Sequence, residues 1–305
     1  MAKVTIVGAG NVGATLAHLI VLKNLADVCL IDIVEGLAKG KALDILQSKP
    51  IEGFSVDIVG SSDYKDSKDS DIVVITAGFP RKPGMTREEL LEANSRIVRD
   101  VVEKIMEFSP NPIIIVVTNP LDAMSYLAYK VSGLPREKVV GMAGILDAAR
   151  FSTFISMELG IHPSRITPCV LGSHGESMVP IGRYTMVSGI PLTKFLDDEK
   201  IKELEERTRK GGAEIVGYLK KGSAFYAPAS STVEMVKSII LDEKKVLLCS
   251  AYLDGEYGLR DVFLGVPVIL GRNGVEKIIE LELNESEKKA LYRAYNSIKS
   301  LIEKL

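Results

Sequence analysis

A chain of 305 residues, 46% of them apolar, has enough apolar mass for two cores. A formal net charge of −2 and the lack of a basic stripe argue against a nucleic-acid partner. Apolar runs such as IIIVV at 113–117 fall far short of the roughly 20 residues of a membrane helix. No signal-peptide succession precedes KVTIV at 3–7. Cys29, Cys169 and Cys249 are odd in number and widely spaced, which argues against disulfides and a zinc site. A soluble protein of the reducing cytoplasm is expected, with no membrane partner.

In chain order, the first half alternates β-branched runs with helical periodicity. KVTIV precedes a helix over 11–24, DVCLID a helix over 35–48, then FSVDIVG; DIVVITAG precedes a helix over 87–107, PIIIVVTN a helix over 121–131, then KVVGM. Such a rhythm predicts βαβ units, and apolar runs without alternation predict strands covered on both faces. Residues 1–143 therefore read as a doubly wound parallel sheet. From about 144 the texture changes. A helix over 145–159 leads to short strands among Gly and Pro turns, then to helical patterns at 193–220 and 230–241. Two β-rich stretches, KVLLCSAYLDGEYGL and DVFLGVPVILGRNGVEKIIEL, precede an amphipathic helix from about 285. Such segregation predicts an α+β unit over 144–305. No Pro/Ser-rich linker separates the halves, so a broad contact between them is expected.

Gly8-Ala9-Gly10-Asn11-Val12-Gly13 is a G-x-G-x-x-G that follows the first strand and opens the first helix. In a Rossmann-type turn, Gly8 permits the tight bend, Gly10 lets backbone approach a pyrophosphate and Gly13 allows close helix packing. Asp32, at the end of the second strand, suits both ribose hydroxyls of an adenosine and repels a 2′-phosphate, so NAD is expected rather than NADP. The bland alternative is a glycine turn that merely packs a helix on a sheet. A nicotinamide dinucleotide implies hydride transfer, which calls for a proton donor and an anion clamp elsewhere in the chain.

Of three histidines, His18 lies at a packing spacing and His162 precedes a proline, and both read as structural. His174, in LGSHGES, stands between two glycines after an apolar strand, where a catalytic and a structural role are both open. Asp147 and Arg150 share one helix face, and on spacing alone they read as a surface ion pair of little worth. Thr118-Asn119-Pro120 follows the fifth strand at the carboxyl edge of the sheet, where ligands of such folds lie, or is a plain turn. In TAGFPRKPGMTREEL, at 76–90, Arg81, Lys82 and Arg87 face either an anion or water.

Together and in order, GAGNVGATLA, TAGFPRKPGMTREEL, VVTNP, ILDAAR and GSHGE resemble the lactate/malate dehydrogenase family over essentially the whole chain. The resemblance implies that His174 is the acid/base group, Asp147 its orienting carboxylate and Arg150 the clamp on the substrate C1 carboxylate. It makes Arg87 the group that polarises the reacting carbonyl, and Asn119 a contact to both nicotinamide and substrate. Asn94 and the main chain of Val117, Thr118 and Asn119 join Gly8, Ala9, Gly10, Asn11, Val12, Gly13 and Asp32 as cofactor contacts. Residues 78 to about 90 match the family's mobile lid. Arg81 stands where members acting on pyruvate have Gln and members acting on oxaloacetate have Arg. The activity so implied is reversible hydride transfer between malate and NAD, giving oxaloacetate and NADH, without a metal, in a homodimer or homotetramer. The alternative substrate is lactate or another 2-hydroxyacid. An NAD-dependent glycosidase would need a metal, and Cys169, His174 and Glu176 form no closed ligand set. A non-catalytic NAD-binding regulator has no use for His174 together with Asp147 and Arg150.

Overall fold

The computed structural model describes residues 1–80 and 85–305, apart from the Arg87 side chain. The readings of Arg81 and of the Arg87 side chain lie outside the described residues. β-Branched runs become strands because two heavy atoms on Cβ suit the pleated backbone. The first half comprises β1 (Lys3–Val7), α1 (Asn11–Leu22), β2 (Asp27–Ile31), α2 (Leu37–Glu52), β3 (Ile58–Ser61), β4 (Ile72–Ile75), α3 (Arg87–Phe108), β5 (Ile113–Val116), α4 (Leu121–Ser132) and β6 (Val139–Gly141). These strands are all parallel, in the order β3-β2-β1-β4-β5-β6. Every residue of β4 is fully buried, as expected for a run with helices on both faces. Each such aliphatic side chain contributes about 1.5–3 kcal/mol. Winding reverses between β1 and β4, which opens a crevice at their carboxyl ends. Gly8 and the segment 117–119 both lie at that edge.

The end of α2 differs from the sequence reading for a local reason. α2 continues past Pro50 and stops at Gly53, which takes the left-handed conformation (φ 74°) and donates its N–H to Lys49 O. Conversely, α3 begins where expected because Thr86 and Glu89 form a reciprocal capping box.

The second half comprises α5 (Gly144–Leu159), β7 (Ile166–Thr167), β8 (Val170–Gly172), β9 (Met178–Pro180), β10 (Met186–Val187), β11 (Ile190–Pro191), α6 (Asp198–Leu219), α7 (Tyr226–Ile240), β12 (Lys245–Asp254), β13 (Arg260–Gly271), β14 (Gly274–Ile278) and α8 (Glu285–Ile302). α6 starts five residues later than its periodicity suggests, because Asp197 caps it by accepting Lys200 N–H at 2.8 Å. α7 starts earlier than expected, with Pro228 in its first turn, where the missing N–H leaves no bond unmade. Phe151, Ile155, Val170, Leu192, Ile201 and Leu204 form a second core beneath α5 and α6.

The halves are not separate layers. β12 pairs antiparallel with β6 through Ser250 and Gly141, so β12, β13, β8 and β9, with β14 beside β13, extend the first sheet into one of eleven strands. Gly141 is required at this joint: a Cβ there would lie 2.6 Å from Ser125 Oγ and 2.9 Å from Ser250 Cβ.

Asp261 ties four elements together on the flank of this extension. Its carboxylate accepts from Tyr126 of α4 and Tyr252 of β12, each at 3.0 Å, and from Lys299 of α8 at 3.2 Å, with Lys130 at 3.3 Å. Burial alone would raise the Asp261 pKa, but these donors outweigh it and hold the carboxyl down at about 2. A depressed folded pKa stabilises the protein above the unfolded value of about 3.9, and the stabilisation is lost as pH falls through the folded one. Asp261→Asn is therefore expected to melt below the wild type at pH 7, with the gap closing between about pH 4 and pH 2. Thermal denaturation across that range checks it, and a gap independent of pH would remove Asp261 from this role.

Candidate active site

At the nucleotide end the geometry is set by glycines. Gly8 has φ 108°, and a Cβ there would lie 2.7 Å from Ala77 N and Thr76 Oγ1. A Cβ on Gly13 would come within 1.8 Å of Gly8 O, so the first turn of α1 sits directly on the end of β1. Gly10 is the N-cap of α1 and offers no side chain to the first-turn amides, while a Cβ there would meet nothing within 4 Å. Uncapped amides and the helix dipole together favour an anion at this point. Ala9 is buried, Val12 half-buried and Asn11 exposed. Half-buried Asp32 is fixed against this loop: Oδ2 accepts Ala9 N–H at 2.7 Å and Oδ1 accepts Val34 N–H at 2.9 Å. Beside it Ile33 and Val34 are exposed, an apolar surface that their sequence, at a strand end, does not announce.

A brace connects this end to the carboxyl edge of β5. Asn94 on α3 is fully buried; Nδ2 donates to Asn119 O at 2.7 Å and to Phe79 O at 3.1 Å, while Oδ1 accepts Phe79 N–H at 2.8 Å. Its amide protons are thus committed to main chain, and it fixes Asn119 in place. Thr118 is buried with its hydroxyl on Ala77 O at 2.7 Å, and Val117 N–H is used by Ile75 O. Asn119 is exposed at the strand end.

The third cluster is built on α5. Asp147 is 1% exposed; Oδ2 lies 2.9 Å from His174 Nδ1 and Oδ1 accepts from Arg150 Nη1 at 3.2 Å. Asp147 and Arg150 are therefore not the surface pair that spacing suggested, since their side chains are only 2% and 14% exposed. A buried carboxylate accepts from Nδ1–H, which leaves Nε2 of His174 for a reacting group. Burial pushes the His174 pKa down, but the charge of Asp147 and its hydrogen bond outweigh this, and the net direction is up. Arg150 packs against α6, where a Cβ on Gly211 would approach its Cδ within 3.2 Å, and its buried Nε has no partner among the described residues.

His174 is also held from the other half of the sheet. Its N–H donates to Asp122 Oδ2 at 3.1 Å, and Asp122 Oδ1 accepts from Ser250 Oγ at 2.7 Å. Asp122 lies in the first turn of α4, three residues after Asn119, so this bond brings the His174 loop to the edge where 117–119 ends. An acidic residue in a first helical turn is commonplace for dipole reasons, which hides Asp122 in the sequence. Among the described residues, no group of three His, Cys, Asp or Glu is placed to hold a metal ion.

Two family models together span almost the whole chain: the lactate/malate dehydrogenase NAD binding domain over residues 2–141, and the lactate/malate dehydrogenase alpha/beta C-terminal domain over 145–305. The chain belongs to the lactate/malate dehydrogenase family. It is 52% identical over 303 residues to a malate dehydrogenase of Roseiflexus sp., covering 99% of this chain and 98% of that one. It is similar in structure to a malate dehydrogenase of Salinibacter ruber (TM-score 0.95, 46% identity, 99% and 97% covered). It is equally similar to a lactate dehydrogenase of Cryptosporidium parvum complexed with lactic acid and nicotinamide adenine dinucleotide (TM-score 0.96, 41% identity, 99% and 97% covered).

The cofactor of this lactate/malate dehydrogenase family member is NAD, and the residues present fit it. The uncapped amides of α1 suit the pyrophosphate, and the Asp32 carboxylate suits a ribose diol. Gly13→Ala is expected to push α1 off β1, an overpacking cost of about 1–3 kcal/mol, with a lower Tm and NADH binding at least about tenfold weaker. Melting curves and NADH fluorescence titration check it; wild-type binding would mean that the loop tolerates the shift.

Proposed function

We propose that the protein catalyses reversible hydride transfer between malate and NAD, giving oxaloacetate and NADH. The single observation that carries the reading is the Asp147 carboxylate shared between His174 Nδ1 and Arg150 Nη1 in a buried cluster. NAD, when bound, supplies the hydride acceptor and NADH the donor. The chain supplies the rest. His174 takes the hydroxyl proton of malate at Nε2, or returns it to the carbonyl oxygen of oxaloacetate. Asp147 fixes the tautomer and stabilises the imidazolium, and Arg150 binds the C1 carboxylate through its guanidinium. Arg87 polarises the carbonyl, and Asn119, fixed by Asn94, orients substrate and nicotinamide.

Malate is preferred to lactate on the strength of Arg81. Oxaloacetate carries a second carboxylate that a guanidinium binds, whereas pyruvate's methyl leaves that cation desolvated and unpaired. One such charged pair is worth roughly 1.5–3 kcal/mol, about ten- to more than a hundredfold in preference. The similar relatives named malate dehydrogenase support this choice.

The remaining parts of the reading are proposals of the same kind. The nucleotide-binding unit is 1–143 and the substrate unit 144–305, supported by the ends of the two family matches. The assembly is a homodimer or homotetramer, supported by exposed Leu43 and Ile51 on α2, Met157 on α5 and Tyr218 on α6, and light scattering tests it. A cytoplasmic location is supported by three buried, unpaired cysteines. Among the described residues, no helix is long and apolar enough to cross a membrane.

With NADH, oxaloacetate is expected to be reduced at least about tenfold more efficiently than pyruvate, and NADH to be used in preference to NADPH. Steady-state kinetics decide, and equal use of pyruvate would favour the lactate reading. Arg81→Gln is expected to move the ratio towards pyruvate, and an unchanged ratio would place specificity elsewhere. His174→Asn is expected to abolish turnover while NADH still binds; near-normal kcat would remove His174 from catalysis. Because the His174 pKa is raised, reduction, which needs the imidazolium, should hold to a higher pH than a free imidazole allows. Oxidation should rise over that same interval, and paired pH profiles read both limbs.

A further inference from the structure

We propose that Asp122 is a positioning residue for His174, holding its main chain at the edge of the nucleotide half and presenting a second buried negative charge to the imidazole. The proposal rests on His174 being the acid/base group. Asp122 is 1% exposed on α4 and accepts His174 N–H at 3.1 Å and Ser250 Oγ–H at 2.7 Å, with the Ser173 hydroxyl hydrogen-bonded to it as well. Three donors converge on this carboxyl group, which is the environment of an anion rather than of a protonated acid, since a carboxyl proton would need an acceptor of its own. Burial is the larger influence and leaves the Asp122 pKa raised, the two hydroxyls and His174 countering it only in part.

The geometry has a purpose that Asp147 alone does not serve. Asp147 reaches the ring from α5, within the second half, and fixes the imidazole relative to Arg150. Asp122 reaches the main chain from α4, directly after the Asn119 segment, and fixes the histidine relative to the carboxyl edge of β5. Its other oxygen is held by Ser250, the residue of β12 that pairs with Gly141 of β6. One carboxylate thus registers the acid/base group against both the nucleotide half and the joint of the sheet. The charged groups acting on the His174 ring are Asp147 and Arg150 from α5 and Asp122 from α4, and Arg150 opposes the two carboxylates.

Asp122→Asn preserves an acceptor for His174 N–H and removes the charge. The His174 ring is followed by NMR titration of the full-length protein, its resonance assigned by its loss in His174→Asn. In Asp122→Asn the ring is expected to titrate at a lower pH than in the wild type. The pH limb of oxaloacetate reduction is expected to move the same way, with kcat reduced by about tenfold or more, because misplacement of order 1 Å costs up to about a hundredfold. A purely structural Asp122 would lower Tm and leave the titration where it was, and that result overturns the proposal. Should Asp122→Asn not fold, Asp122→Ser serves: it likewise removes the charge while keeping a polar acceptor, the His174 titration is again expected to fall, and an unchanged midpoint again overturns the idea. An active His174→Asn would instead defeat the acid/base reading itself, an outcome separate from the position of the titration.

Discussion

A carboxylate at 1% exposure cannot stand alone, because removing its hydration costs several kcal/mol unless charge and hydrogen bonds replace it. Asp147 meets that demand with one partner on each oxygen, and both partners are groups a hydroxyacid needs. Arg150 has its remaining donors for an anion, and His174 has its second nitrogen for a proton. Each member is stable only with the others present. The helix α5 and the loop between β8 and β9 are therefore fixed to each other by electrostatic necessity rather than by packing alone. The chemistry follows from the same constraint: the group that stabilises the fold also sets the tautomer of the histidine.

The opposite end of the cleft works on another principle. There the groups that fit a dinucleotide are main-chain amides and one carboxylate, and shape is enforced by positions that admit no side chain, Gly8 and Gly13 above all. Charge is minimal, as suits a dinucleotide that must bind and leave in each turnover. Asn94 and Asp122 connect the two regimes: Asn94 spends its polar atoms on the main chain of Phe79 and Asn119, and Asp122 holds the main chain of His174 with one oxygen.

Much of this was legible in the sequence, for physical reasons that can be named. Strands β1, β4 and β5 announce themselves as β-branched runs without alternation, which only a sheet covered on both faces explains. α3 and α8 start where a side chain caps them, at Thr86 and Asn284. The glycine motif, Asp32 and the five family segments gave the cofactor and the family. What periodicity does not encode is partnership. The spacing of Asp147 and Arg150 is the same on a buried helix face as on a wet one, so their pair looked superficial. Nothing in KVLLCSAYLD says that Ser250 will lie beside Gly141, so the sequence predicts a broad contact between the halves without showing that it takes the form of one continuous sheet. Asp122 was invisible because its first-turn position already has an ordinary explanation.

The joint between β6 and β12 also has a consequence for biosynthesis. β6 completes the parallel sheet of the nucleotide half, yet its antiparallel partner is encoded more than a hundred residues later. Until the ribosome has delivered β12, the nascent sheet presents a bare strand edge of Val139, Val140 and Gly141. Asp122 meanwhile waits without the serine and the histidine loop that compensate its charge. The first half emerges as a nearly finished unit with one adhesive border, which β12 closes, and one buried carboxyl group, whose donors arrive first with the 173–174 loop and last with Ser250 of that same strand.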